Sequence, residues 1–405
     1  MPTANVWTTE APNLECPVLW AYYNGKIMAI NVDLNGGIRI YDFFDKSAVN
    51  TGITVADLLK WYAPITSIKF PTNSSLKFQC IVAKSGKYCL YSVDIDLASK
   101  SGSIQLDTEY AFNWVNGWGH LHRAVVLYPL LIVTDDDGYA HYINLDDGTS
   151  EDWDTGAGSY VYRPGFSLVH RKDDIYMLAG RHYSGDPAYL WKLYGKSISS
   201  LGVTGGGGSP TPNSAPALFY KDTLFMFEWA DVIGADNDIV LFDIAFNHLG
   251  NIDLAGITGW GSNYANAALP IAKTKNGNYY SIIGISENAS SSGNDYRIYF
   301  IEHSRTGNVI SSTLLYEILN SALADAGFIT CSPAYAKAYS LPLVNLRDKK
   351  VYLLGYSVPD GNNTGYFIEV DLSDVWDNIA EFNRNMWFIS PLKIPTVLTL
   401  TVTPL

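Results

Sequence analysis

The chain has 405 residues, of which 47% are hydrophobic, 14% aromatic and only 17% charged, with a formal net charge of −13. That composition excludes disorder over most of the length, and the lack of clustered Lys and Arg excludes a nucleic-acid surface. The first residues, MPTANVWTTEAPNLECP, carry no basic or apolar signal-peptide region, and the apolar run Ala124 to Val133 is too short to span a bilayer.

Seven units follow along the chain. Each reads as an apolar strand, a tight turn, a second apolar strand, a loop, a third strand ending in a polar turn, and a weaker fourth strand. Unit one is PVLWAYYN, KIMAINVD, GIRIYDFFD and a weak strand near Thr51. Unit two is ITSIKF, LKFQCIVA, KYCLYSVDID and SIQLDTEY; unit three is RAVVLY, LLIVTD, YAHYINLDDG and a short piece at Trp153. Unit four is FSLVHR, DIYMLAG, PAYLWKLYG and SISSLGV; unit five is PALFYK, TLFMFEWA, DIVLFDIAFN and NIDLAGI. Unit six is ALPIAKT, NYYSIIGIS, YRIYFIEHSRTGN and VISSTLLY; unit seven is LPLVNL, KKVYLLGYS and GYFIEVDLS. Second strands begin near 26, 76, 130, 174, 223, 278 and 349, a period near 50 whose last gap is 71. The segment SSTLLYEILNSALADAG fills that excess, and its apolar spacing predicts a helical insertion ending at Gly327.

Val, Ile, Tyr and Phe in the strands, with Gly, Asn and Asp between them, predict an all-β protein. Four strands at this period predict a single seven-bladed β-propeller of four-stranded antiparallel blades. The third strands end in an aromatic or aliphatic–Asp step before a turn, as in IYDFFDKS, VDIDLASKSG, INLDDGTS, LFDIAFNHLG and IEVDLSD. In this the chain resembles the kelch, WD-repeat and YVTN-type propellers over residues 16–385. The resemblance is architectural: there is no kelch Gly-Gly/Tyr/Trp set, no WD dipeptide and no Asp-box, so it carries no activity. Residues 1–15 read as an N-terminal arm and 386–405 as a C-terminal strand or tail.

A ring places its first and last blades side by side. Cys16 and Cys331 precede the first strands of units one and seven, so a Cys16–Cys331 disulfide across the seam is expected. Cys80 and Cys89 flank the turn at Ser85-Gly86 and form a second possible pair. With no CxxC spacing, metal ligation by cysteine is not expected. After unit seven, SDVWDNIAEFN reads as a short helix capped by Ser373. The alternating VLTLTV then reads as an extra strand, supplying the seventh blade's fourth strand or pairing with another subunit in self-assembly.

In a propeller, the links from a fourth strand to the next first strand share one face with the loops joining second and third strands. The links here include Trp61 and Tyr62 in WYAP, FNWVNGWGHLHR, SYVYRPGF and TGWGSNYANA. Gly-Trp-Gly occurs at Trp118 and at Trp260, where the flanking glycines allow sharp turns. The loops add Asp135 to Asp137, Arg181-His182-Tyr183, Asp231 with Asp236, Glu287 and Asp360. The candidate ligand-binding set is therefore Trp118, His120, Arg163, Arg181, His182, Trp260, Tyr264, Asp135 and Asp231. Aromatic faces stack on sugars or anchor a protein, and Asn, Asp and Arg fix orientation. The alternative for each Trp is a structural wedge between blades.

His120 and His122 are too few for a metal site on spacing alone, and no cofactor is expected. Thr134 to Gly138 reads as a polar turn with a Ca²⁺ loop as its alternative. No nucleophile motif appears, so no catalytic residue is assigned. Scarce Lys, three N-x-S/T sequons at Asn73, Asn288 and Asn362, and no export signal suggest a virion or extracellular surface component, with a cytoplasmic protein as the alternative. The expected function is non-enzymatic recognition of a host glycan or protein, or decoration of a particle, without membrane insertion. The alternatives are a glycoside hydrolase or lyase using Asp135, Asp231 and Glu287 at the funnel, and a cytosolic protein-interaction scaffold.

Overall fold

The computed structural model describes residues 1–10, 19–32, 37–54, 60–64, 74–84, 87–111, 123–127, 129–134, 139–154, 164–170, 175–179, 187–204, 223–227, 239–243, 245, 247–260, 264–286, 292–322, 342–357, 364–383 and 387–389. These residues are nearly all β. The first strand, β1 (Thr3–Glu10), precedes seven small sheets laid down in chain order.

Sheet one holds β2 (Leu19–Tyr23), β3 (Lys26–Val32), β4 (Gly37–Asp42) and β5 (Ser47–Thr54). Sheet two holds β6 (Lys60–Pro64), β7 (Ser75–Lys84), β8 (Lys87–Asp96) and β9 (Ser101–Ala111). Sheet three holds β10 (Arg123–Leu127), β11 (Leu130–Thr134), β12 (Tyr139–Asn144) and β13 (Ser150–Asp154). Sheet four holds β14 (Pro164–His170), β15 (Ile175–Ala179), β16 (Pro187–Lys192) and β17 (Ser197–Thr204). The described part of sheet five is β18 (Thr223–Phe227), β19 (Ile239–Asp243) and β20 (His248–Ile252), followed by the four-residue helix α1 (Ala255–Thr258). Sheet six holds β21 (Tyr264–Thr274), β22 (Tyr279–Ser286), β23 (Ser292–His303) and β24 (Val309–Ala322). Sheet seven holds β25 (Leu343–Asn345), β26 (Lys350–Ser357) and β27 (Thr364–Asp371). Within each sheet, successive strands pair antiparallel as a meander, so the period near 50 corresponds to one sheet per unit.

One turn recurs where strands end. An Asp or Asn side chain accepts hydrogen bonds from backbone N–H groups two or more residues ahead: Asp42 from Phe44 and Asp45, Asp96 from Ala98 and Ser99, Asp243 from Ala245 and Asn247. Asn144, Asn345 and Asp371 do the same toward Asp146, Arg347 and Ser373. Such side chains satisfy turn amides that no ladder reaches. The next residue turns inward, burying Phe43, Leu97 and Leu372, and its own amide donates to the carbonyl of Ile27, Ser74 and Lys349 respectively. The turn then needs a left-handed residue, which is Lys46, Lys100, Lys196 and Lys349 in four cases.

Buried clusters join the sheets in the order five, six, seven, one, two. Ile239, Leu241, Ile283 and Tyr299 link sheets five and six, and Ile282, Phe300, Val351 and Ile368 link six and seven. Trp20, Tyr41 and Phe43 meet Tyr352, Leu354 and Phe367 between sheets one and seven, and Ile40, Ile53, Leu76 and Ile95 join one and two. Sheets three and four meet through the Tyr142 hydroxyl, which donates to the Leu193 carbonyl at 2.5 Å, and through the rings of Trp153 and Trp191.

Four sequence expectations are corrected. First, residues 11–15 of the expected N-terminal arm lie outside the described ones, but residues 3–10 are a strand: β1 pairs along β27 from Thr3↔Asp371 to Glu10↔Thr364 and is sheet seven's outer strand. Its Ala4 and Val6 pack toward sheet six while Trp7 packs toward sheet one, so both of its faces are covered. Second, the expected helix between units six and seven is a strand as far as Ala322; the residues beyond, to Gly327, are outside the described ones. Bulges leave Ile310 and Leu315 without a directly opposite partner on β23, and these slips break the two-residue alternation so that it imitates a helical period. Third, Ser373 caps no α-helix: Asp371 closes the turn, one 3-10 turn spans Trp376–Asn378, and β28 (Ile379–Phe382) then pairs with β21. Fourth, WYAP is not a link but most of β6, paired with β7.

The extra strand expected over VLTLTV lies outside the described residues; a different short strand, β29 (Trp387–Ile389), runs parallel to β25 within its own chain's sheet seven. Cys89 is a buried thiol whose Sγ lies 4.0 Å from the Glu109 carboxylate, not half of a bridge to Cys80. In the ladder Cys89 faces Val82 and Cys80 faces Tyr91, so the two are diagonal rather than opposite. Cys16 and Cys331 lie outside the described residues. No helix among the described residues is long and apolar enough to cross a membrane.

Candidate functional site around Trp260

Of the nine candidate residues, Trp118, His120, Arg163, Arg181, His182, Asp135 and Asp231 lie outside the described residues, as do Glu287 and the turn Asp135 to Gly138. Tyr264 begins β21, where its backbone pairs with Ser286. Trp260 is described in full, and the site is built around it.

Local chemistry fixes where Trp260 sits. Asp253 Oδ1 accepts the Gly256 amide at 3.2 Å, starting α1, and the Thr258 hydroxyl folds back onto the Leu254 carbonyl. Gly259 ends the helix in the left-handed region at φ 72°, its amide bonded to the Ala255 carbonyl at 2.9 Å. The chain reverses there, and the Trp260 amide donates to Thr258 Oγ1 at 3.1 Å. The first Gly of the Gly-Trp-Gly motif is thus a helix stop that aims the indole.

The indole is half-buried against the cluster shared by sheets five and six. The Arg297 guanidinium lies over it, 4.3 Å from the ring centroid, and Arg297 Nε donates to Glu317 Oε1 at 2.5 Å. Arg297 and Glu317 are directly opposite on β23 and β24, so the pair is built by register and holds the cation on the ring. Burial opposes the guanidinium charge, but hydrogen bonds to Glu317 and Tyr299 outweigh it and hold its pKa above the ordinary value. The indole is therefore clamped between a core and a cation, a rigid aromatic anchor with a charged pair beside it. Tyr264 starts from the same end of sheet six.

Two further polar groups fall outside the sequence expectations. Asp42 is fully buried, with Lys100 Nζ at 2.8 Å and Lys26 Nζ at 3.7 Å, and both lysines also reach Asp45. The Lys26 hydrogen bond, chiefly, holds the Asp45 carboxyl down at about 2. His303 is buried, its Nε2 3.0 Å from Ser281 Oγ and its Nδ1 2.9 Å from the Ser304 carbonyl oxygen. Burial pushes its pKa down to about 4, so the ring is neutral at pH 7. Both groups sit inside sheets, where they hold strands together and offer no approach for a substrate.

Sequence reasoning missed Arg297 and Glu317. The signal available was a charge interrupting an apolar strand twice, in YRIYFIEH and in LLYEIL. Without the register, nothing tied one to the other or to Trp260.

No protein-family model and no curated protein sequence matches the chain. Among solved structures, it is similar to BBS1N, crystallised in complex with ARL6DN, at 8% identity and a TM-score of 0.49, covering 90% of this chain and 95% of that one. It is also similar to BamB from Moraxella catarrhalis at 10% identity and a TM-score of 0.39, covering 91% of this chain and 97% of that one. A computationally designed protein, Ika8, is similar at 10% identity and a TM-score of 0.41, covering 88% of this chain and 97% of that one.

Proposed function

We propose that the seven sheets are the blades of one seven-bladed β-propeller, and that it works as a non-enzymatic binding module whose loop end around Trp260 engages a glycan or protein partner outside the cell. Support for the ring comes from sheet seven lying against sheet one through the same kind of turn contact that joins sheets one and two. The reading as a binder rests on one observation: the Trp260 indole is immobilised between a core and Arg297 before any ligand arrives. A preorganised aromatic loses little entropy on binding, which is what a recognition surface needs.

The enzyme alternative requires an open funnel lined by carboxylates. In the propeller reading, β21 and β25 are the innermost strands of their blades, and β28 and β29 cover the inner edge of each. That arrangement favours a binder over a hydrolase.

A glycan array read for both retention and released fragments tests this, with Trp260→Ala alongside the native sequence. Retention that Trp260→Ala abolishes is the expected result. Fragment release promotes the enzyme. Retention indifferent to Trp260→Ala places the site elsewhere on the ring. Recovery of the protein with particles or the cell surface of its source supports the extracellular or virion setting, and recovery in the cytosol alone contradicts it.

A further inference from the structure

The outer strand of sheet six is unlike those of the other sheets. β24 runs 14 residues, VISSTLLYEILNSA, and among the described residues no strand pairs with its outer edge. At that length it spans roughly 45 Å. It carries three of the few large apolar side chains exposed among the described residues: Ile310 at 54%, Leu314 at 48% and Leu319 at 59%. Some outer strands are blunted by charge, β9 with Asp107 and Glu109 and β13 with Glu151, Asp152 and Asp154; β5 and β20 carry no Asp, Glu, Lys or Arg but expose no large apolar side chain either. β24 has one charge, Glu317, and Arg297 already neutralises it.

The pattern along β24 is its own complement when reversed. Turned end for end about the Leu314–Leu315 step, Ile310 meets Leu319 and Ser312 meets Glu317. Face is conserved as well as chemistry. The bulge at Leu315 shifts the alternation, so that Ser312 and Glu317 both lie on the face of Ile301 and Arg297, their partners on β23. Thr313 and Tyr316 likewise share the face of Phe300 and Ile298. A twofold axis normal to the sheet requires this correspondence, since an isologous contact must present one patch to itself.

We propose that β24 is the contact between two copies of this chain, paired antiparallel about a twofold axis at the Leu314–Leu315 bulge so that sheet six continues from one subunit into the other. Charge favours a second copy here. Each copy carries −13 overall, so the acidic edges of sheets two and three repel their like, whereas β24 and its flanking Arg297 are balanced. The proposal is independent of the ligand at Trp260.

Sedimentation of the full chain over a concentration series tests it. The native sequence is expected at twice the chain mass of 44.7 kDa. The double variant Ile310→Lys, Leu319→Lys sets lysines opposite each other and is expected to raise the dissociation constant by roughly a hundredfold or more. Its circular dichroism should stay native, and its thermal midpoint should match that of the native sequence diluted until it is a monomer, because both side chains are exposed in the single chain. Leu106→Lys, on the edge of sheet two, should leave the dimer intact. Ser312→Lys, which faces Glu317 of the partner subunit, should tighten it. A chain that stays at 44.7 kDa at its highest soluble concentration overturns the proposal, as does a dimer indifferent to the double variant.

Discussion

Lys46 lies over the ring of Trp7, its Nζ 5.0 Å from the centroid, and so ties the turn after β4 in sheet one to the outer strand of sheet seven. Lys196 stands in the same way over Tyr142 at 4.8 Å, from sheet four to sheet three, and also bridges Glu151. Lys100 reaches from sheet two to Asp42 and Asp45 in sheet one. All three lysines are the left-handed residue of their turn, and each touches a neighbouring sheet. In sheet six the corresponding left-handed residue is Gly307, packed on the backbone of Asn251 in sheet five.

Trp7 stacks on Phe367 at 5.4 Å and meets Phe43 edge-on at 5.5 Å, so its loss removes contacts to two sheets at once. Trp7→Ala is expected to cost about 3 kcal/mol in urea unfolding, whereas Lys46→Ala, which removes an exposed cation over the same ring, costs only about 0.5 kcal/mol. Equal effects would place the seam's stability in the charge rather than in the aromatic packing.

Asp42 holds two turn amides and faces two lysines from full burial. Asp42→Ala strands those groups and is expected to cost about 3–5 kcal/mol, with Asp42→Asn intermediate because it keeps the amide bonds. Thermal and denaturant unfolding of the three proteins check the order.

A methyl group at Gly307 would stand 2.0 Å from the Asn251 carbonyl oxygen, at a φ of +94° that side chains avoid. Gly307→Ala is therefore expected to destabilise by more than about 2 kcal/mol. Gly277→Ala makes a useful comparison, because Gly277 shares the positive φ but meets nothing within 4 Å. Its cost should be near 1 kcal/mol.

His303 has a folded pKa of about 4 against about 6.5 when unfolded, so the unfolded chain takes up the proton first. Stability from this site is full above about pH 6.5 and falls as pH drops toward 4, by roughly 3 kcal/mol at the end of that window. Asp45 acts lower: its carboxyl, held near 2, loses its contribution as pH falls from 3.8 toward 2. Urea midpoints measured every half unit between pH 7 and 4 should slope downward in the native sequence and much less in His303→Gln. Parallel slopes would assign the loss to other groups.

The sheets were legible because alternation and turn residues act locally: all seven second strands start within a residue or so of their expected positions. The Asp-plus-aliphatic step was legible too, as a turn, though not its lysine, whose partner is always on another sheet. β1 was misread because its eight residues carry too short an alternation to declare partners 366 to 368 positions away, at Val370 and Asp371. The helix expected near Leu315 failed for a physical reason, since bulges erase the period on which strands are recognised. Trp260 was singled out from its glycines, but the cation above it depends on a register no local pattern records.

The proposed ring depends most on the pairing of the N-terminal strand with sheet seven, and hydrogen–deuterium exchange of the amides of Thr3–Glu10 measures that pairing most directly. If β1 is part of sheet seven, those amides exchange with β26 and β27, slowly and only through opening of the whole sheet. Exchange at the rate of an unstructured tail, while β26 and β27 remain protected, would contradict it.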